Sequence, residues 1–315
     1  MGEGRPRGPR RAPTGATLDG VPELPEVEAL ASFLRERLTG AVVTGVEVAA
    51  ISVLKTYDPP PQALAGSPVT AVRRYGKWLD LDVDGVHLVV HLARAGWLRW
   101  YDAVPERPAR PGKGPLALRV RFVQPATDGG PDATPGFDLT EAGTRKGLAV
   151  HVVRDVAQVP AIASLGPDPL DPAFDVAALQ ALLTGSRQQV KGLLRDQSVL
   201  AGVGNAYSDE VLHAARISPF APAGRLEPEQ VQHLWTALRD VLTRAVTTAA
   251  GRPAADLKDA KRAGMAVHGR TGEACPVCGD VVREVSFADR SLQYCATCQT
   301  GGTPLADRRT SRFLR

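Results

Sequence analysis

The chain has 315 residues, 43% of them hydrophobic and 23% charged, enough for two or three modules that each bury a modest core. No apolar run reaches the ~18 residues of a membrane span, and residues 1–20 carry arginines without the apolar stretch of a secretory leader. Neither a membrane protein nor a secreted one is expected, whereas a net charge of +4 and a pI near 9.0 permit a polyanionic partner without requiring one.

Residues 1–20 are rich in Gly, Pro and Arg, lack periodicity and read as a disordered extension over 1–21. Order is expected from Pro22-Glu23-Leu24-Pro25-Glu26. Pro25 suits a first helical position, Val27, Leu30, Leu34 and Leu38 recur at helical spacing, and Gly40 ends the helix. Strands follow at 41–48, 69–73, 78–83, 86–92, 116–123 and 148–153. Asp84-Gly85 forms the hairpin turn, with Trp78 opposite His91. The Pro/Gly-rich stretches 103–115 and 125–136 read as loops. This module, 22–155, is expected to be an antiparallel β-sandwich with one helix. Beyond a hinge at 167–172, helices are expected at 176–183, 187–195, 206–214 and 228–249, within a helical module spanning 173–262. No internal repeats occur.

Two cysteine pairs, Cys275-x2-Cys278 and Cys295-x2-Cys298, are separated by sixteen residues. That spacing suits one tetrahedral zinc, each pair giving two thiolates from a turn, in a hairpin module over 265–302. The competing readings are redox pairs or disulfides, which a reducing compartment disfavours. Four thiolates leave the metal no open position, so zinc would be structural and chemistry must lie elsewhere. A basic tail, 303–315, includes Arg308, Arg309, Arg312 and Arg315 and reads as solvated.

Gly202-Val203-Gly204-Asn205 lies between two helices. The glycines would let a ligand approach the backbone, and Asn205 would cap a helix whose free amides suit a phosphate. The bland reading is a tight turn. Lys77, His91 and Arg290 are each ordinary when taken singly, as a solvated lysine, a structural strand histidine and a surface arginine.

Together these segments resemble the formamidopyrimidine-DNA glycosylase (Fpg/Nei) family. Pro22-Glu23-Leu24-Pro25-Glu26-Val27-Glu28, Gly202-Val203-Gly204-Asn205 and the hairpin ending Tyr294-Cys295-Ala296-Thr297-Cys298-Gln299 stand in the family's order, from Pro22 to about Gln299. The resemblance implies an α+β multidomain fold: an N-terminal antiparallel β-sandwich, a helix–two-turn–helix domain and a C-terminal zinc-ribbon hairpin, with DNA between the lobes. It implies a bifunctional base-excision enzyme for oxidised purines and for abasic sites, acting as a monomer on duplex DNA with one structural Zn2+. The expected compartment is the bacterial cytoplasm, at the nucleoid when acting. Pro22 resembles the nucleophile and Glu23 the acid/base, with Lys77 among the catalytic group and Glu26 supporting it. Lys77, His91, Asn205 and Arg290 resemble the phosphate-holding residues.

A Schiff-base mechanism needs an amine that is neutral yet nucleophilic. Free α-amino groups titrate at about 7.7–8.0 and lysine at about 10.4, which favours a terminal amine near pH 7. Here Pro22 follows twenty-one residues, so its nitrogen is an amide as written. Val21 offers an answer, because GTG encodes valine internally and can initiate with methionine, whose removal would expose Pro22. Proteolysis would give the same end.

Lesion choice departs from the pattern too. Relatives fill the gap left by the flipped base with Met, Arg and Phe, where this chain has Arg94 and Thr144-Arg145-Lys146-Gly147. Arg94 and Arg145 are the candidate DNA contacts there, and Lys146 a phosphate contact. The segment 257–264, a lesion-covering loop in relatives, is short and charged. The alternatives are an endonuclease VIII-like enzyme for oxidised pyrimidines or abasic sites, whose usual motif reads Pro-Glu-Gly-Pro-Glu, and a noncatalytic lesion binder if Pro22 is blocked.

Overall fold

The computed structural model describes residues 21–110, 112, 114–126, 130–142, 146–287 and 291–306. The extension 1–20, Arg145, Arg290 and the arginines of the tail lie outside them. Helix α1 (Leu24–Leu38) is followed by eight strands: β1 (Val42–Val48), β2 (Val69–Tyr75), β3 (Trp78–Val83), β4 (Val86–His91), β5 (Gly96–Tyr101), β6 (Leu116–Val123), β7 (Gly136–Glu141) and β8 (Ala149–Val153). They make two antiparallel sheets, ordered β1-β6-β7-β5 and β2-β3-β4-β8. The β3–β4 register pairs Leu79, Leu81 and Val83 with Val90, Leu88 and Val86. Asp84 and Gly85 take φ of 50° and 82°, the left-handed pair that a two-residue hairpin needs. Strands β5 and β7 were not expected. Gly96 and Gly136 open them, and both sit too close to neighbouring backbone for a side chain, an added Cβ meeting Leu92 O at 2.1 Å and Val120 O at 2.3 Å.

Both sheets and the buried face of α1 share one core, including Leu30, Leu34, Leu81, Leu118, Phe137 and Val150. After the short α2 (Pro160–Ala163), helices α3 (Val176–Leu183), α4 (Val190–Arg195), α5 (Asn205–Ala214) and α6 (Pro228–Ala249) build a second core. Helix α4 starts three residues later than expected, because Val190 N donates to Ala221 O, Gln188 O accepts from Ala223 N and Gln189 forms an antiparallel bridge with Pro222. The linker at 167–172 is pinned from both sides. Asp168 meets Arg74 of β2 at 2.7 Å, and Arg239 of α6 donates to the carbonyls of Pro169 and Asp171.

Residues 257–264 overturn an expectation: they form helix α7 (Leu257–Gly264), not a loop. Leu257 packs in the sandwich core together with Ala249 and Ala254, which carries the end of the helical lobe onto the first lobe. The C-terminal hairpin pairs β9 (Val282–Ser286) with β10 (Ser291–Cys295) and ends in α8 (Ala296–Thr300). Among the described residues no helix is long and apolar enough to cross a membrane.

Candidate active site at the head of the first helix

The head of α1 sits where the lobes meet. Leu24 is fully buried, in the helical core rather than the sandwich core, and its amide donates to Gly202 O at 3.0 Å. Glu23, the residue before the helix, is 2% exposed. Its Oε1 accepts from Ala206 N at 2.9 Å, while Oε2 takes the Gly204 and Tyr207 amides. The positive end of α5 thus holds this carboxylate. Glu26 reaches back to accept the Glu23 amide at 2.8 Å and also accepts from Tyr207 Oη at 2.6 Å. Pro25 therefore takes the second helical position, and Glu26 does hold the helix start.

This arrangement corrects the reading of the glycine turn. Gly204, not Asn205, is the N-cap of α5, and the amides behind it are taken by Glu23. What approaches the glycines is the head of α1. An added Cβ on Gly204 would sit 2.4 Å from the Glu23 carboxyl carbon, and one on Gly202 2.7 Å from Leu24 Cβ, at a φ of +85°. Asn205 instead bridges to the zinc hairpin, its Nδ2 donating to Ser291 O at 2.9 Å. Its Oδ1 is buried and has no hydrogen-bond partner among the described residues.

The cation that completes the site is one the sequence reading passed over. Lys261 of α7, 8% exposed, donates to Val21 O at 2.8 Å and Glu26 Oε2 at 3.0 Å and lies 3.6 Å from Glu23 Oε1. Its Nζ also stands 4.9 Å from the centre of the Tyr207 ring. Burial works against its charge, yet Glu26 and Glu23 together raise its pKa. For Glu23, burial raises the pKa, but Lys261, Lys77 and the Ala206 amide outweigh it and bring the carboxyl below its ordinary value. Glu23 is ionised at neutral pH. Leu257 and Lys261 fall one turn apart on one helix face, so the clue was an apolar residue four positions ahead of a lysine.

Lys77, in the β2–β3 turn, faces the same cluster. Burial lowers its pKa and Glu23 pulls it back up. His91 stacks on Trp78 at 4.7 Å, and burial, aided by Lys77, brings its pKa to about 4. It is neutral at pH 7, so its contact with a phosphate would be an N–H bond rather than a charge. Arg94 is exposed in the β4–β5 turn. Lys146 is exposed, and its Nζ donates to Glu141 O at 2.7 Å.

Under the site, Asp209 of α5 accepts from Lys191 Nζ at 2.6 Å, His268 Nδ1 at 2.8 Å and Gln293 N at 3.3 Å. Glu210 takes the amides of Ala266, Val267 and His268 at 2.7, 2.9 and 2.8 Å. These two carboxylates fasten the chain leading into the cysteine hairpin to α5. The Sγ atoms of Cys275, Cys278, Cys295 and Cys298 lie within 4.8 Å of one another. That is the spread expected of four thiolates, each ~2.3 Å from a shared zinc. His213 Nε2 stands 3.2 Å from Cys275 Sγ, which tightens the hold on the first ligand. With no open coordination position, this zinc is structural. Beside Glu26 and Lys261 opens a cavity of about 340 Å³, also lined by Tyr207, His213, Met265 and Val277.

Residues 21–131 match the formamidopyrimidine-DNA glycosylase N-terminal domain, 165–254 the formamidopyrimidine-DNA glycosylase H2TH domain and 272–301 the zinc finger found in FPG and IleRS. The chain is 37% identical over 274 residues to the formamidopyrimidine-DNA glycosylase of Moorella thermoacetica, covering 84% of this chain and 94% of that one. An uncharacterized formamidopyrimidine-DNA glycosylase-like protein of Mycobacterium tuberculosis is 56% identical over 160 residues, 51% of this chain and all of its own length. Lactococcus lactis Fpg, in a crystal structure of its complex with FAPY-dG-containing DNA, superposes with a TM-score of 0.75 at 25% identity, covering 88% of this chain and 100% of that one. With the sandwich, the helical lobe and the four-cysteine finger in the same order, the chain belongs to the formamidopyrimidine-DNA glycosylase (Fpg/Nei) family of zinc-finger DNA-repair glycosylases.

Proposed function

We propose that the protein is a bifunctional glycosylase and abasic-site lyase for duplex DNA, with oxidised purines as its base substrates. Pro22 attacks C1′ of the damaged nucleotide once its nitrogen is a free amine. The base leaves, an iminium forms, and the acidified neighbouring carbon drives elimination of the phosphates. Glu23 shuttles protons around the opening sugar. Lys77, His91, Asn205, Arg94, Arg145 and Arg290 hold the bent strand, and the cavity beside Glu26 receives the extruded base.

One observation carries this reading. The head of α1 is fixed at the junction of the lobes, with Glu23 on the amides of α5 and Lys77 and Lys261 facing it. Borohydride trapping on an abasic-site duplex tests it. A chain headed by Pro22 is expected to give a covalent adduct, and Pro22→Gly at that head a much weaker one. Salt-sensitive binding by the Pro22-headed chain without an adduct would leave a lesion binder instead.

A second reading, towards oxidised pyrimidines or abasic sites, draws on helix α7, which stands where a base-covering loop was expected. Single-lesion duplexes compared side by side decide between them: preferential cutting at a formamidopyrimidine supports the purine reading.

A further inference from the structure

Lys261 brings a positive charge close to the nitrogen that must attack. Its Nζ donates to the carbonyl oxygen of Val21 at 2.8 Å. That oxygen and the Pro22 nitrogen are bonded to the same carbon, over about 1.23 and 1.33 Å, so they stand little more than about 2 Å apart. The ammonium therefore lies within about 5 Å of the Pro22 nitrogen.

The acids at the head of α1 pull the other way. Glu23 and Glu26 are both buried there, and a carboxylate beside an amine favours the protonated form, which has no lone pair to attack with. Lys261 meets both, Glu26 Oε2 at 3.0 Å and Glu23 Oε1 at 3.6 Å. The remaining charged and titratable groups come from other elements. Lys77 of the β2–β3 turn faces Glu23, with Arg195 at the end of α4 behind it, and His268 acts on Glu23 from the 266–268 segment. Tyr207 of α5 adds no charge, because burial and Glu26 keep its phenol protonated. Lys261 itself holds its charge, since Glu26 and Glu23 outweigh the effect of burial.

Resting on the Pro22 reading above, we propose that Lys261 is a positioning residue for the nucleophile, pairing off the two carboxylates of the α1 head so that the Pro22 amine sheds its proton. Lys261 touches no reacting bond. Attack at C1′ and elimination stay with Pro22, and Glu23 keeps the proton shuttling assigned to it. Helix α7 makes the pairing possible, because Leu257, four positions ahead on the same face, is locked in the sandwich core.

The test uses a chain beginning at Pro22, which retains every residue of the hydrophobic cores, Leu24 being the first. Labelled with 15N-proline, that chain has one proline nitrogen outside an amide, and its chemical shift is followed against pH without DNA. At an effective dielectric constant of about 20, one charge about 5 Å away displaces an amine titration by about two pH units. Lys261→Met is expected to raise the midpoint by about that much. The acidic limb of borohydride trapping on an abasic-site duplex should move the same way. Lys261→Arg keeps the charge and should titrate with the parent. Glu26→Gln removes one negative charge and should lower the midpoint, and adding Lys261→Met to it should restore the parent's value.

An unmoved midpoint in Lys261→Met, or one in Lys261→Arg displaced as far as in Lys261→Met, would leave a merely structural lysine and overturn the proposal. Should Lys261→Met not fold alone, the double variant decides. Titrating above Glu26→Gln, it supports the charge balance; titrating with Glu26→Gln, it refutes it. Failure of the parent to form an adduct, whatever its titration, would instead remove the Pro22 reading.

Discussion

Replacing Asp209 with Asn tests how firmly the zinc hairpin is fastened beneath the site. The carboxylate has no exposed surface and accepts from Lys191, His268 and Gln293, so it joins α4, α5, the 266–268 segment and β10 through one group. Lys191 is buried too, its other donors meeting Ser208 Oγ at 2.7 Å and Asn205 O at 3.1 Å. Burial pushes the Lys191 pKa down, and Asp209 is what draws it back up. Asparagine keeps the shape but leaves an ammonium without its counter-charge, a change that costs about 3–5 kcal/mol when neither group reaches solvent to screen it. At about 2 °C per kcal/mol for a chain of this size, the melting temperature is expected to fall by about 6–10 °C. Circular dichroism at neutral pH with zinc present measures it, and zinc content should stay at one because no thiolate is touched. Adding Lys191→Met to Asp209→Asn should recover part of the loss by removing the stranded charge. A single variant that melts with the parent, or a double variant worse than the single by the full cost of Lys191→Met, would refute the pairing argument.

Glu23→Gln should destabilise the protein at neutral pH, and the gap should close in acid. The folded carboxyl titrates below its ordinary value, so its contribution is present above about pH 4.3 and disappears as pH falls through the folded pKa; urea midpoints of both proteins between neutral pH and pH 3 check this, and a gap independent of pH would be wrong. Gly204→Ala is expected to lose trapping activity and about 2–4 kcal/mol of stability, because its Cβ cannot share space with the Glu23 carboxyl 2.4 Å away; unchanged activity would show that the α1–α5 contact is dispensable. Cys295→Ser should release the zinc and loosen β9 and β10, read as metal stoichiometry and hydrogen exchange in the hairpin, and zinc retained at one per chain would displace Cys295 from the ligand set. Lys77→Met should move the acidic limb of the trapping rate to higher pH, because the Lys77 cation helps hold the Glu23 carboxyl below its ordinary value and its loss lets that carboxyl titrate higher; an unmoved limb would place Lys77 with the phosphates alone.

Local signals carried much of the architecture. Asp84-Gly85 needs no tertiary context to make a hairpin, and the apolar spacing of Val27, Leu30, Leu34 and Leu38 announces α1. The cysteine spacing likewise contains its own geometry. What stayed hidden depends on partners far away in the chain. Gly202 and Gly204 read as room for a ligand because nothing local says that Glu23 and Leu24, about 180 residues earlier, will fill that room. Strands β5 and β7 lack clean alternation: Trp97, Arg99 and Tyr101 share one face, and Asp138 is buried against Arg119 at 2.7 Å, a polar residue that only a partner makes tolerable. Lys261 was lost for the same reason, since a lysine in Leu-Lys-Asp-Ala-Lys-Arg looks solvated until two glutamates are seen beneath it.

The cluster at the head of α1 makes docking of the lobes and assembly of the site one event. Leu24 belongs to the helical core while Val27 and Leu30 belong to the sandwich, so a single helix is shared by both. Glu23 and Glu26 would be costly to bury on the sandwich alone, and the α5 amides, Tyr207 and Lys261 that satisfy them all come from the other lobe. Separating the lobes strands two carboxylates and a lysine, which resists opening at this point even if the cleft walls move elsewhere. The same satisfaction constrains the chemistry. A carboxylate held by the amides of α5 and faced by Lys261 has its position set by the contact that closes the lobes, so the place of Glu23 next to Pro22 depends on both lobes at once.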